Sequence, residues 1–124
     1  MKNYFLVENK KIFFQKFGDG PPIILLHGIS NSSKTWNNIS KKLSKIRTVY
    51  LIDFRGHGNS DHFDNYEWIN FSNDIVAFIE KNIDSKVEII GHSLGACVAT
   101  KVSQILKTNI KALILEDPPF FTHK

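Results

Sequence analysis

A serine flanked by two glycines is the residue pattern in this chain that most clearly suggests chemistry. An apolar run at residues 87–90 continues directly into Gly91-His92-Ser93-Leu94-Gly95 and then into a helical pattern. A strand, a G-x-S-x-G turn and a helix in this order force a bend so sharp that the serine takes a positive φ. Glycines on both sides let strand and helix approach closely. The turn would present the Ser93 hydroxyl as a nucleophile for acyl transfer. The alternative, that Ser93 only caps a helix, does not require both glycines.

Alternating strand and helix patterns surround this turn. Short unbroken apolar runs, typical of strands covered on both faces, occur at residues 23–26, 48–52, 87–90 and 111–115. Helical spacing follows Trp36 as far as Ile46, follows Trp68 as far as Phe78, and resumes after Gly95. We expect both tryptophans to pack in the core. The alternation predicts an α/β fold, a mostly parallel sheet with helices on both faces, and active groups at the carboxyl ends of its strands.

The first 17 residues have a different pattern. Residues 4–8 and 11–17 are rich in β-formers and are separated by the polar pair Asn9-Lys10. This predicts an N-terminal antiparallel hairpin with its turn at Asn9-Lys10.

Composition argues against a nucleic-acid-binding protein and against a membrane-spanning one. The 124 residues carry a net charge of +4, but the lysines are scattered and form no basic block, which argues against nucleic-acid binding. No window is long and apolar enough for a membrane span. The single cysteine, Cys97, has no partner for an internal disulfide, and no secretory signal is apparent, so we expect a cytoplasmic protein. Residues 1–124 are interpreted as one domain.

Four segments carry a resemblance to a known family: LLHGIS, DFRGHGNSD, GHSLG and LEDPPF, in that order along the chain. They resemble the α/β-hydrolase fold family, in particular its serine-nucleophile branch of lipases, carboxylesterases, cofactor-free haloperoxidases and carbon–carbon bond hydrolases. The resemblance implies that the backbone amides of Ile29 and Leu94 form the oxyanion hole. It also implies that neither a cofactor nor a metal is needed. The residues that would support the two loops are His27, Gly28, Gly91, His92 and Gly95.

Two further segments have more than one interpretation. In DFRGHGNSD, the resemblance implies that Asp53, Arg55 and His57 brace a turn rather than act in catalysis. In LEDPPF, Asp117 is a candidate for the acid that orients a catalytic histidine, as in some branches of the family. Asp117 could equally be an ordinary polar residue at a strand end before a Pro-Pro stop.

The general base is the missing part. The triad order in this fold is nucleophile, acid, then histidine, and the histidine that follows Ser93 here is His123, the penultimate residue. The resemblance implies a complete fold of about twice this length. We therefore expect a domain incomplete at its C-terminus, truncated after about the sixth strand, with strand 111–115 left as an exposed edge. A missing C-terminal half or a second chain would complete it.

These observations favour a serine hydrolase acting on an ester or related acyl bond of a small molecule, with Ser93 as nucleophile. The alternative is a catalytically inactive remnant or binding module that keeps the fold without the histidine.

Overall fold

In a computed structural model of the chain, the structure describes residues 2–29 and 31–118, and within these residues the alternating patterns form six strands and three α-helices. The strands are β1 (Lys2–Val7), β2 (Lys10–Phe17), β3 (Pro22–Leu26), β4 (Thr48–Ile52), β5 (Val87–His92) and β6 (Ile110–Glu116). The helices are α1 (Asn37–Leu43), α2 (Trp68–Asn82) and α3 (Leu94–Leu106), with short 3₁₀ turns at Ser33–Trp36 and Lys107–Asn109.

The strands form one sheet in the order β1-β2-β4-β3-β5-β6. Strands β4, β3, β5 and β6 are parallel to one another, while β1 and β2 are antiparallel additions at one side. The predicted fold class is therefore confirmed. Since parallel strands end at the same edge of a sheet, the segments that follow β3, β4, β5 and β6 meet there.

The N-terminal hairpin is confirmed, but its turn lies one residue earlier than predicted. Val7 pairs with Lys10, so Glu8 and Asn9 are the two turn residues, with φ values of 52° and 66°. A two-residue turn with positive φ at both positions matches the right-handed twist of the flanking strands. Asn9 tolerates this conformation well, which explains why it lies inside the turn rather than at its start.

Each face of the sheet has its own apolar core. On one face, α2 and α3 pack over alternate strand residues that include Ile24, Leu26 and Ile52. On the other face, Trp36 and its neighbours pack over Ile23, Leu25, Val49 and Leu51. The alternation of side chains along each strand thus supplies both layers, as in α/β domains generally.

The three predicted helices are present, but the predicted burial of one tryptophan and the predicted end of one helix were wrong. Trp36 is buried as expected, but Trp68 is 50% exposed. Trp68 is the first residue of α2, one turn before Phe71, where the buried face of that helix begins. The predicted helix through Ile46 ends at Leu43, and Ile46 is 69% exposed, because the chain turns there to enter β4.

Strand β6 lies at one side of the sheet and pairs with β5 alone among the described residues. Its side chains Ile114 and Leu115 are 55% and 41% exposed. An apolar strand with an unpaired edge is a template for pairing with another strand. Within the described residues, no helix is both long enough and apolar enough to cross a membrane.

Candidate active site

The junction of β5 and α3 is the sharp turn with positive φ that the G-x-S-x-G pattern predicts. Ser93 links the two elements with φ 54° and ψ −112°, a conformation that favours glycine. The backbone N–H of Ser93 donates to the carbonyl of Glu116 at 3.0 Å, and its carbonyl accepts from Ala96 N at 2.9 Å. Within the described residues, the Ser93 side chain makes no capping hydrogen bond to α3. The conformation is therefore held by the main chain, and the hydroxyl is not used as a helix cap.

Gly91 and Gly95 allow three backbone segments to converge at this turn. A Cβ atom on Gly91 would lie 2.3 Å from the carbonyl oxygen of Gly95. A Cβ atom on Gly95 would lie 2.3 Å from the carbonyl oxygen of Leu26 and 2.9 Å from that of His27. Any side chain at either position would push apart β5, α3 and the end of β3. The two glycines are thus required by close approach of backbone to backbone.

The loop after β3 lies directly against the turn at Ser93. The position that a Cβ atom of Gly28 would take is 3.4 Å from Ser93 Cβ and 3.3 Å from His92 Cδ2. The next residue, Ile29, is 64% exposed, so its side chain is directed to the surface. The structure therefore brings Gly28 against Ser93, and Ile29 follows it in the same loop.

Leu94 occupies the first position of α3. Its side chain is 6% exposed and belongs to the core, so its backbone is firmly placed. The N–H groups of a first helical turn have no intrahelical acceptor, and they lie at the positive end of the helix dipole. The amide of Leu94 is thus suited to stabilise a negative charge that develops beside Ser93.

His27 is fully buried, and its two ring nitrogens both contact backbone. Nδ1 lies 2.7 Å from the carbonyl oxygen of Gly28, and Nε2 lies 3.0 Å from the N–H of Phe54. Burial lowers the pKa of His27 from 6.5 to about 4. A neutral ring with both nitrogens engaged has no free position for the proton of a serine.

His92 is the last residue of β5, directly before Ser93. Its Nδ1 is 3.1 Å from a carboxylate oxygen of Glu116, at an angle that makes no hydrogen bond among the described residues. The Glu116 side chain is 65% exposed, so this contact is weak. Glu116 matters more through its backbone carbonyl, which binds Ser93 N. Sequence reasoning missed this role because a main-chain hydrogen bond does not depend on the type of the residue that makes it.

Asp117 directly follows β6. The parallel register pairs His92 with Glu116, so Asp117 lies beside the strand end that carries Ser93. Its φ is 50°, a positive value that Asp adopts more readily than most residues. The structure thus places Asp117 near the turn. His123, the histidine that follows it in sequence, lies outside the described residues.

The segment after β4 is braced by its own polar residues. The carboxylate of Asp53 accepts from Ser33 N at 2.7 Å and from Asn59 N at 3.0 Å. Arg55 donates twice to Asp74, at 2.7 Å each. Burial raises the pKa of the Asp74 carboxyl, and hydrogen bonds from Arg55 oppose that shift. With their polar atoms engaged in this way, Asp53 and Arg55 have the bracing contacts that the sequence predicted.

A largely apolar groove lies between α2 and α3. Its volume is about 280 Å³, and its lining includes Trp68, Cys97 and Lys101. Within residues 2–29 and 31–118, no group of three histidine, cysteine or acidic side chains is placed to hold a metal ion.

Comparison with known proteins agrees with the fold. The family model for the α/β-hydrolase fold matches residues 21–124. Ethanol acetyltransferase 1 from Hanseniaspora uvarum is 34% identical over 79% of this chain and 30% of its own length. A marine microorganism esterase superposes with a TM-score of 0.80 at 37% identity, over 84% of this chain and 40% of its own.

An esterase from Exiguobacterium antarcticum superposes over 100% of this chain with a TM-score of 0.92 and 26% identity, but over only 48% of its own length. The chain therefore spans about a third of that acetyltransferase and less than half of these solved structures. The fold, the turn at Ser93 between two glycines and the family match over residues 21–124 agree. The chain belongs to the α/β-hydrolase fold family.

Proposed function

We propose that this chain supplies the nucleophile and the oxyanion hole of a serine hydrolase that cleaves an ester or related acyl bond of a small molecule. The observation that carries the proposal is the conformation of Ser93. Its strained φ of 54° is held by main-chain contacts, and its hydroxyl makes no capping hydrogen bond to α3. Backbone strain of this kind is concentrated at functional sites. The similarity to the marine esterase, at 37% identity, supports hydrolysis as the reaction class.

The reaction would proceed through a covalent intermediate. The Ser93 oxygen attacks the acyl carbon while a base removes the hydroxyl proton, and the carbonyl oxygen gains a negative charge. The amides of Ile29 and Leu94 stabilise that charge, and the loss of one such donor typically costs about 100- to 1000-fold in rate. The tetrahedral intermediate then expels the alcohol, which takes up the proton. Water releases the acyl group from Ser93 by the same steps in reverse order.

The base is proposed to be a histidine outside the described residues. His27 has both ring nitrogens on backbone, and the resemblance implies that His92 supports the loop rather than acting as base. Asp117 is the proposed acid, since it follows β6 beside the nucleophile turn. A further part of this protein or a second chain would then supply the histidine. A cytoplasmic location is also proposed, from the single cysteine.

Acyl transfer to an alcohol is a second candidate. The similarity to ethanol acetyltransferase 1, at 34% identity over 79% of the chain, favours it. Both reactions share the acyl-enzyme on Ser93 and differ in whether water or an alcohol accepts the acyl group. Measuring acid and ethyl ester formed from one activated acyl substrate, with ethanol varied, would separate them. A product ratio that favours the ester at low ethanol would identify a transferase.

Ser93→Ala tests the proposal directly. Labelling by a fluorophosphonate probe and hydrolysis of short-chain p-nitrophenyl esters would be compared for the native protein from its source cells and for this variant. The intact mass of the labelled product is measured in the same experiment, to establish which polypeptide carries the label. We expect rapid labelling of the native protein at Ser93 and none of the variant. No labelling of either protein would favour the alternative of an inactive remnant or binding module.

A further inference from the structure

The groove between α2 and α3 contains a buried hydroxyl without a partner. This α2–α3 groove has a volume of about 280 Å³ and is lined by Trp68, Ile69, Ser72, Cys97, Val98 and Lys101. Ser72 is only 2% exposed, and its hydroxyl makes no hydrogen bond to any described residue. Other helical serines here, Ser40 and Ser103, donate to a carbonyl one turn earlier. A buried polar group without a partner destabilises a fold, so a ligand in the groove would explain the Ser72 hydroxyl.

The groove has a polar end and an apolar end. Helix α2 connects β4 to β5 and α3 connects β5 to β6, and these strands are parallel, so the two helices run in the same direction. On α2, Trp68 and Ile69 precede Ser72 by about one turn, and on α3, Cys97 precedes Lys101 by about one turn. The hydroxyl and the ammonium group therefore lie toward the same end of the groove.

Lys101 gives the polar end a positive charge. It is the one charged side chain among the described residues that line the groove, and it makes no ion pair with any of the described residues. Burial raises the pKa of the Cys97 thiol, so the thiol is uncharged near neutral pH. Toward the other end, Trp68 and Ile69 are 50% and 43% exposed and present apolar surface. A ligand that matches this lining has one negative group and a short apolar chain.

We propose that the α2–α3 groove binds a short-chain monocarboxylic acid, with the carboxylate at Ser72 and Lys101 and the alkyl chain toward the apolar end. A carboxylate only accepts hydrogen bonds, so it suits both the hydroxyl and the ammonium group as donors. At about 30 Å³ for each water-sized group, the groove holds about nine such groups, which corresponds to an acid of about six carbons. The residues proposed for acyl chemistry do not line the groove, so this site is additional to the one at Ser93.

An NMR titration of the ¹⁵N-labelled native protein with hexanoate measures affinity and location together. We expect the amide signals of the groove residues of α2 and α3 to shift. Hexan-1-ol has the same chain without the charge and should bind at least about fivefold more weakly, the effect of losing an exposed ion pair. Butanoate should also bind more weakly, since each buried methylene contributes up to about fourfold. Equal affinities for hexanoate and hexan-1-ol would overturn the inference.

Ser72→Ala tests the buried hydroxyl. We expect hexanoate to bind about tenfold more weakly, the typical effect of losing a hydrogen bond to a charged group. Stability to urea should be unchanged or higher, because the hydroxyl has no protein partner to lose. Ser103→Ala is the matched control: it removes a hydroxyl that is bonded to the Thr100 carbonyl outside the groove, and it should bind hexanoate normally. Unchanged affinity in Ser72→Ala, or a loss of stability, would show the inference to be wrong.

Lys101→Met tests the charge at a surface position, where the fold tolerates substitution. Hexanoate should bind about fivefold more weakly, while Lys81→Met, which removes an exposed lysine of α2 outside the groove, should have no effect. Equal affinities in the two variants would contradict a carboxylate at Lys101.

Hexanoate is also a product of the proposed ester hydrolysis, so binding at Ser93 must be distinguished. Native protein labelled at Ser93 by a fluorophosphonate is therefore titrated in the same way. We expect the same affinity and the same shifts in α2 and α3 after labelling. Loss of binding on labelling would assign the acid to the Ser93 site and overturn the inference. If the proposed function fails and no label attaches, the comparison of Ser72→Ala with Ser103→Ala still decides whether the groove binds the acid.

Discussion

Gly95→Ala should destabilise the fold, although helix propensity predicts the opposite. Gly95 is the second residue of α3, and alanine is ordinarily favoured over glycine inside a helix by about 1 kcal/mol. Here the added Cβ would lie 2.3 Å from the Leu26 carbonyl oxygen, whereas ordinary contact begins at 3.4 Å. Relief requires α3 and the end of β3 to separate by about 1 Å, because close-packed backbone has no other way to yield.

The size of the destabilisation follows from the cost of the backbone clash and the gain in helix propensity. Overpacking of this kind costs about 1 to 3 kcal/mol, and the obstacle here is backbone, so the upper value applies. Subtracting the propensity term of about 1 kcal/mol leaves a net loss of about 2 kcal/mol in the free energy of unfolding. The same displacement would move Leu94 relative to the loop after β3. Since misplacement by about 1 Å can cost about 100-fold in rate, ester hydrolysis should fall by about that factor.

Urea unfolding of the chain and of Gly95→Ala measures the first quantity. Gln104→Ala and Gln104→Gly form the control, because residue 104 is an exposed position of the same helix, where alanine should be the more stable choice. If Gly95→Ala proved as stable as the parent chain, the close approach of α3 to β3 could not be the reason for glycine at this position. A normal order in the control pair would show that the assay detects helix propensity.

Three further predictions concern strain, pH and the sheet edge. Ser93→Gly should be about 1 kcal/mol more stable to urea than Ser93→Ala, because both lack the hydroxyl but only glycine relieves a φ of 54°; equal stabilities would contradict a strained turn. Burial lowers the pKa of His27 from 6.5 to about 4, so between these values the unfolded chain binds a proton that the folded chain does not. Stability should therefore be complete above pH 6.5 and fall with acidification, by about 2 kcal/mol near pH 5, in urea titrations at several pH values. Ile114→Lys should reduce self-association in sedimentation velocity, since a lysine on edge strand β6 opposes strand pairing, whereas Ile46→Lys adds the same charge elsewhere and should not.

Much of the fold could be predicted because its signals are local. Each parallel strand is an unbroken apolar run, and the turn at Ser93 is marked by two glycines at fixed spacing. The errors occurred where burial depends on how far an element extends past the sheet. Trp68 has helical spacing with Phe71, but it precedes the part of α2 that covers the strands. Periodicity identifies a face of a helix and does not show where the covering layer ends.

The candidate site was predictable in its residue types and not in its contacts. The G-x-S-x-G pattern and the His27-Gly28 pair identified the two loops that the structure brings together. The main-chain partners, Phe54 N for His27 and the Glu116 carbonyl for Ser93 N, could not be found from sequence. Every residue carries an N–H and a carbonyl, so these contacts depend on the register between β5 and β6 and on the path after β4 rather than on side-chain chemistry.

The convergence of backbone at Gly91, Gly95 and Gly28 has a consequence for protein engineering. Alanine scanning, the usual survey of functional positions, would score the exposed Ile29 as dispensable and the glycines as merely structural. The amides proposed to form the oxyanion hole would be detected only by exchanging an amide for an ester linkage in the main chain. A mutational library for new substrate preference can therefore vary the Ile29 side chain freely, provided that the three glycines stay fixed.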